Sequence, residues 1–181
     1  MNKQTIRQQM KDARSQLKEV EVKKHSKAIF ENLFMLDILN FDKYFIYINF
    51  GNEVDTESII EELKKRKKKI YLPKISAKMM KSVKLLPKTT FLRNNYGILE
   101  PSGRAENIDD FVAIMPCLAV DGHGNRIGFG CGYYDKFLAN KNALKIVICY
   151  DFQVVDKIDN ESFDIPVDYV VTEKQIIKTH R

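Results

Sequence analysis

Apolar residues recur every three or four positions through the start of the chain. Ile6, Met10, Ala13 and Leu17 form one series, and Val22, Ala28, Ile29, Leu33, Phe34 and Leu36 a second, with charges between them. That spacing lines one face of a helix, so two helices are expected, with a break near residues 17–21. The period then changes. Tyr44-Phe45-Ile46-Tyr47-Ile48 is continuous, aromatic and β-branched, the pattern of a buried strand. A helix is predicted over residues 58–68, and a second strand at Ile70-Tyr71-Leu72, ending at Pro73. A third strand is expected over residues 80–86, and residues 87–110 read as loop. Phe111 to Met115, Ile146 to Tyr150 and Tyr169 to Thr172 are further strand candidates, with a short helix at residues 133–139. Strands that alternate with helices and are apolar throughout predict an α/β fold. It has three layers: a mainly parallel sheet, helices on both faces, and an N-terminal helical pair. No repeat and no linker interrupts this pattern, so residues 1–181 are expected to form one domain.

Composition narrows the class. With 181 residues, 44% of them hydrophobic and 11 of them Phe, the chain is long and apolar enough to bury a core. No apolar run approaches the roughly 20 residues of a membrane helix. The segment from Met1 to Arg7 is polar and lacks a signal-peptide core, so a cytoplasmic protein without membrane contact is expected. Cys117, Cys131 and Cys149 lack close spacing, and His25, His123 and His180 are scattered. Neither set reads as a disulfide framework or a zinc site. Thirty Lys and Arg against 24 Asp and Glu give a net charge of +6, which points to an anionic partner. The densest run is Lys64 to Lys69. It reads either as the cationic end of a helix capped by Asp55 or Thr56, or as a nucleic-acid patch.

The segment from Asp121 to Gly132 carries the chemistry. Glycines stand at 122, 124, 128, 130 and 132, followed directly by Tyr133, Tyr134 and Asp135. Glycine at every second position lets backbone N–H groups approach a ligand and form an anion cradle. Arg126 adds a cation able to take two phosphate oxygens, and Asp135 a carboxylate suited to Mg²⁺ carried by a nucleotide. The tyrosines suit a flat, polar ligand. A flexible surface turn is the other reading of the same glycines. No GxxxxGK[ST] occurs, and G-x-G-x-G falls too late for a dinucleotide fold. Taken alone, Lys3 and Arg7 read as a solvated helix face, Glu53 as a turn residue and Asp168 as a strand-entry residue.

The string from Arg126 to Asp135, RIGFGCGYYD, resembles the signature of the 5-formyltetrahydrofolate cyclo-ligases. Other landmarks lie in the family's order: Lys3, Ile6, Arg7 and Arg14; Glu53 to Thr56; Tyr71 to Lys74; Leu85 to Pro87; Gly97 to Pro101; Met115-Pro116; Leu118 to Asp121; and Val167-Asp168. The resemblance implies a fold like that of sugar-phosphate isomerases and CoA transferases. It also implies ATP- and Mg²⁺-dependent closure of 5-formyltetrahydrofolate, with or without a polyglutamate tail, to 5,10-methenyltetrahydrofolate, by a monomer that needs no nucleic acid. It further implies nucleotide contacts from Lys3, Gln4, Thr5, Ile6 and Arg7, and from Arg126, Ile127, Gly128, Phe129, Gly130, Cys131, Gly132, Tyr133 and Tyr134. Folate contacts fall on Ile48, Glu53 and Phe129 to Tyr133. Catalytic roles fall on Arg126, Lys3 and Tyr133, and metal ligation on Asp135 and Asp168. Departures from the family pattern are Cys131 for Gly or a cation, Cys117 for Gly, Phe129 for a more polar or tyrosyl residue, and Lys136 for Arg; Cys131 removes no catalytic group. A sugar-phosphate or CoA enzyme, and an RNA-binding module using Lys64 to Lys69, are the competing functions.

Overall fold

A computed structural model describes residues 2–179; His180 lies outside the described residues. The chain begins with helices α1 (Lys3–Ser15) and α2 (Glu19–Leu33). Strand β1 (Lys43–Ile46) leads through α3 (Glu57–Lys65) to β2 (Lys69–Ser76) and β3 (Met79–Lys84). Short strands follow: β4 (Phe91–Arg93), β5 (Leu99–Pro101) and β6 (Ala105–Glu106). Then come β7 (Phe111–Met115), β8 (Ala119–Asp121), β9 (Arg126–Ile127), α4 (Tyr133–Leu138) and β10 (Ala143–Ile148). The chain ends with β11 (Val154–Val155), β12 (Tyr169–Val171) and β13 (Ile176–Lys178).

The main sheet runs β13-β12-β10-β7-β1-β2-β3-β6. Its middle five strands are parallel, β13 and β3 run antiparallel to them at either side, and β6 pairs antiparallel with β3 at the edge. Successive residues alternate between the two faces, as the pleat requires. Tyr44, Ile46, Val112, Ile114, Ile146 and Ile148 meet Ile29 and Leu33 of α2 and Ile59 and Leu63 of α3. Phe45, Ala113, Met115, Val147 and Cys149 meet Phe137 and Leu138 of α4 on the opposite face. Burial on both faces explains why these strands are apolar throughout. The predicted layers and helical pair are therefore present.

Several boundaries differ from expectation. β2 does not stop at Pro73. It leaves β1 after Tyr71 and continues paired with β3 alone, where a proline without an N–H costs no ladder bond to β1. Residues 87–110 contain the β4–β5 hairpin and β6. A small sheet, β11-β8-β9, carries α1: Ile6 packs with Leu118, Ala119, Ile127 and Ile158. Among the described residues, no helix is long and apolar enough to cross a membrane.

The topology locates a site. From β1 the chain steps to β2 on one side, and the next parallel strand, β7, lies on the other side of β1. Ligands of open α/β sheets bind outside the carboxyl ends of the strands where the order reverses in this way. Here those ends lead to Tyr47 and Ile48 after β1, and to Cys117 after β7. The Lys64 to Lys69 run joins α3 to the amino end of β2, on the opposite rim of the sheet. Lys64 pairs with Glu61 at 2.8 Å and Arg66 with Glu62 at 2.7 Å, and the Lys68 amine donates to the Leu39 carbonyl.

Candidate active site

Beyond β1 the chain turns and buries the carboxyl group of Glu53, a residue only 7% exposed. Glu53 Oε2 accepts the Phe50 N–H at 2.9 Å, and Oε1 lies 3.7 Å from Arg14 Nη1. Burial raises the carboxyl pKa, while the Arg14 charge and the Phe50 N–H oppose that rise. The turn is fastened to the end of α1 by Asn52, whose Nδ2 donates to the Arg14 and Leu17 carbonyls at 3.0 and 3.1 Å. Of the two proposed caps for α3, Asp55 supplies the bond, accepting the Glu57 N–H; the Thr56 hydroxyl donates to the Tyr47 carbonyl and holds the turn against β1.

Three tyrosines surround this carboxylate. Burial raises the pKa of Tyr47, of Tyr134 and of Tyr150, the last to about 12, and the Glu53 charge adds to each rise. They are therefore hydrogen-bond donors at neutral pH. The Tyr47 hydroxyl donates to the Val54 carbonyl at 3.1 Å. Three buried side-chain atoms have no hydrogen-bond partner among the described residues: Arg14 Nε, Arg126 Nε and the Tyr150 hydroxyl oxygen. Such groups are costly unless a ligand or water completes them.

The glycine loop forms the other wall. The N–H groups of residues 128–132 donate no hydrogen bond among the described residues. Gly130 (φ 105°) and Gly132 (φ 62°) adopt the left-handed conformations that a side chain would oppose. Arg7 Nε donates to the Gly128 carbonyl at 2.9 Å, which ties the loop to α1. Arg126, on β9, is nearly buried. Its Nη2 pairs with Asp135 Oδ1 at 2.8 Å, and its guanidinium lies over the Tyr134 ring, 5.6 Å from the centroid. Asp135 Oδ1 also accepts the Ile165 N–H, leaving Oδ2 without a hydrogen bond among the described residues.

Lys3 and Arg7 are thus not a solvated face. Lys3 reaches Glu161 at 2.8 Å and Asp164 at 3.0 Å. Desolvation works against its charge, but the bonds to those carboxylates prevail and raise its pKa. Gln4 and Thr5 lie in the first turn of α1, where the Thr5 N–H is capped by Asn2; Ile6 points into the small core and its N–H donates to the Asn2 carbonyl. Ile48 is partly buried after β1. Phe129 and Cys131 are exposed on the loop, with the Lys11 amine over the Phe129 ring. Tyr133 faces Cys131, Tyr96 and Glu100, and partial desolvation followed by Cys131 raises its pKa. Asp168 lies at the amino end of β12, where Oδ2 meets Lys145 at 3.1 Å and accepts its N–H. Among the described residues, no group of three or more His, Cys, Asp or Glu could hold a metal. The sequence reading gave Arg14 no role and passed over Tyr150 and Asn52, since the partners of all three are remote along the chain.

Comparison with known proteins places the chain in a family. The chain is 31% identical over 141 residues to the Escherichia coli K12 5-formyltetrahydrofolate cyclo-ligase, covering 72% of this chain and 78% of that one. It is 30% identical over 132 residues to the Haemophilus influenzae cyclo-ligase, covering 67% and 71%. The NMR structure of the Aquifex aeolicus 5,10-methenyltetrahydrofolate synthetase superposes with a TM-score of 0.85 at 31% identity, covering 100% of this chain and 94% of that one. The Mycoplasma pneumoniae synthetase, at 23% identity and a TM-score of 0.76, shares the fold over 96% of this chain and 99% of its own. With the family model matching residues 1–173, the chain belongs to the 5-formyltetrahydrofolate cyclo-ligase family and is an enzyme of that kind.

Proposed function

We propose that the chain closes 5-formyltetrahydrofolate to 5,10-methenyltetrahydrofolate at the expense of ATP, releasing ADP and phosphate. The observation that carries this reading is the run of amides at residues 128–132, unpaired among the described residues, beside Arg7 and Arg126, with Tyr134 lying next to both Arg126 and the buried Glu53. Free amides beside two guanidinium groups suit phosphate, and a buried carboxylate suits a ligand rich in N–H groups.

A formamide carbonyl is a poor electrophile and its oxygen a poor leaving group. Transfer of the γ-phosphoryl group to the formyl oxygen makes the attached carbon electrophilic. N10 then attacks that carbon, loses its proton, and the C–O bond breaks as phosphate departs. The protein's part is to align the two substrates and to stabilise charge on the transferring group. In this reading Arg126 and Arg7 face the phosphates with the loop amides, and Lys3 steadies the 161–164 turn beside them. Ile48, Glu53 and Phe129 to Tyr133 receive the folate, with Tyr133 as a donor. Mg²⁺ bound with the nucleotide would neutralise its phosphate oxygens, and the open Oδ2 of Asp135 is the protein atom that fits it. Asp168, already engaged by Lys145, fits that role less well. The enzyme is expected to act as a cytoplasmic monomer and as one domain.

The test is an absorbance assay of methenyl formation from 5-formyltetrahydrofolate with and without Mg-ATP. Product only with Mg-ATP is expected; no product under either condition removes the proposal.

A further inference from the structure

Arg14 is a nearly buried cation whose side chain makes one polar contact among the described residues. Its side chain is 11% exposed and that of Glu53 8%, and their atoms stand 3.7 Å apart, beyond hydrogen-bond length. Among the described residues, Arg14 Nε has no hydrogen-bond partner. A guanidinium held this way does little for the fold, because a buried pair recovers its desolvation cost only through close, complete hydrogen bonding. The backbone around it is nonetheless fixed. Asn52 clamps the Arg14 carbonyl to the turn that carries Glu53. The pair is therefore aimed, under-bonded and placed at the carboxyl end of β1.

We propose that Arg14 is the positioning residue for the folate end of the site, holding the Glu53 carboxylate ionised and oriented toward the N–H groups of the substrate's aminopyrimidine ring. This rests on the folate role of Glu53 proposed above. An aminopyrimidinone ring presents a ring N–H beside an exocyclic amine, two parallel donors that match a carboxylate. Glu53 Oε2 already accepts Phe50, and Oε1 keeps its full capacity because Arg14 stands too far away to occupy it.

The groups facing Glu53 are Arg14 from α1, Tyr47 beyond β1, Tyr134 from α4 and Tyr150 beyond β10. The tyrosines are held protonated, so Arg14 is the charge among them. His25 and Glu173 meet each other and lie on the Tyr150 side. Without Arg14, burial acts on Glu53 unopposed except by Phe50, and its carboxyl takes up a proton at higher pH. A neutral Glu53 accepts fewer N–H groups, and folate binding weakens as pH falls.

The experiment compares KM for 5-formyltetrahydrofolate across pH in wild type, Arg14→Met, Arg14→Lys, Glu53→Gln and the two Arg14 variants on the Glu53→Gln background. Arg14→Met is expected to raise folate KM by about 10–100-fold, as loss of a supporting partner behind a ligand-binding group does. The ATP KM should stay near wild type, and the folate KM should fall back as pH rises. Arg14→Lys keeps the charge, so its folate KM should rise without a pH slope. Neither change should add to the effect of Glu53→Gln. Additive effects on that background, or an Arg14→Met KM independent of pH, would overturn the proposal. If Arg14→Met does not fold, the Arg14→Lys pair decides by the same additivity. Wild-type enzyme that makes no methenyl product would instead overturn the functional reading on which this one rests.

Discussion

Two groups of cations in this chain behave in opposite ways. Lys64 to Lys69 is the densest run, yet its ion pairs stay within one helix end: Lys64 to Glu61, Arg66 to Glu62. Lys3, Arg7 and Arg14 are dispersed along α1, and each answers to a distant segment. Lys3 holds Glu161 and Asp164, Arg7 the Gly128 carbonyl, and Arg14 faces Glu53. At 100° per residue these three fall within about 40° of one another around the helix, one stripe turned toward the site. Charge density thus marks a helix end, and charge at the right helical spacing marks a site.

The contrast can be broken at several points. The largest effect is expected at Arg126, the remaining cation of the loop. Arg126→Ala should lower turnover about 100- to 1,000-fold, the scale for losing a preorganised donor to developing charge. Methenyl formation at saturating substrates reads this, and an unchanged near-UV spectrum shows the fold retained; near-wild-type turnover would remove Arg126 from the chemistry. Arg7→Ala frees the loop from α1 and should raise the ATP KM about 10–100-fold, matching about 1.5–3 kcal/mol for a charged hydrogen bond. An ATP KM that does not move would put the loop's order elsewhere.

Glu53→Gln tests the other end of the stripe through stability. The folded carboxyl pKa is raised above its ordinary 4.5. Its contribution is therefore full below the unfolded value and lost as pH rises through the folded one. Glutamine keeps the neutral form, so the variant should match wild-type Tm in acid and exceed it as pH climbs through that window, while folate binding weakens. A lower Tm at neutral pH would show that the Arg14 pairing outweighs burial. The smallest effects belong to the dense run. Lys64→Ala or Arg66→Ala should cost about 0.3–0.5 kcal/mol of stability each and leave both KM values alone; a kinetic change would give that rim a role in the reaction.

What could be read in advance follows from locality. The helices α1 and α2 and the strands β1, β7, β10 and β12 were visible because burial on fixed faces imposes a period on their own residues. The short strands β8, β11 and β13 were not, because two or three residues become a strand only through a partner elsewhere, as Val154 does beside Val120. Pro73 misled because its effect depends on which neighbour β2 has lost at that point. The loop stood out because the need for glycine at positive φ is local. Arg14 did not, because its meaning lies in a glutamate 39 positions away, and Tyr150 and Asn52 were hidden for the same reason.

The α1 stripe also sets an order of events during synthesis. The helix leaves the ribosome before any segment it will hold: Glu53 follows within tens of residues, Gly128 after 121 positions, and Asp164 after 161. Contacts of such separation form late, since the intervening chain must first be brought into place. Arg7 and Lys3 therefore stay unanswered until Gly128 and the 161–164 turn have emerged, whereas the partner of Arg14 follows soon after the helix itself.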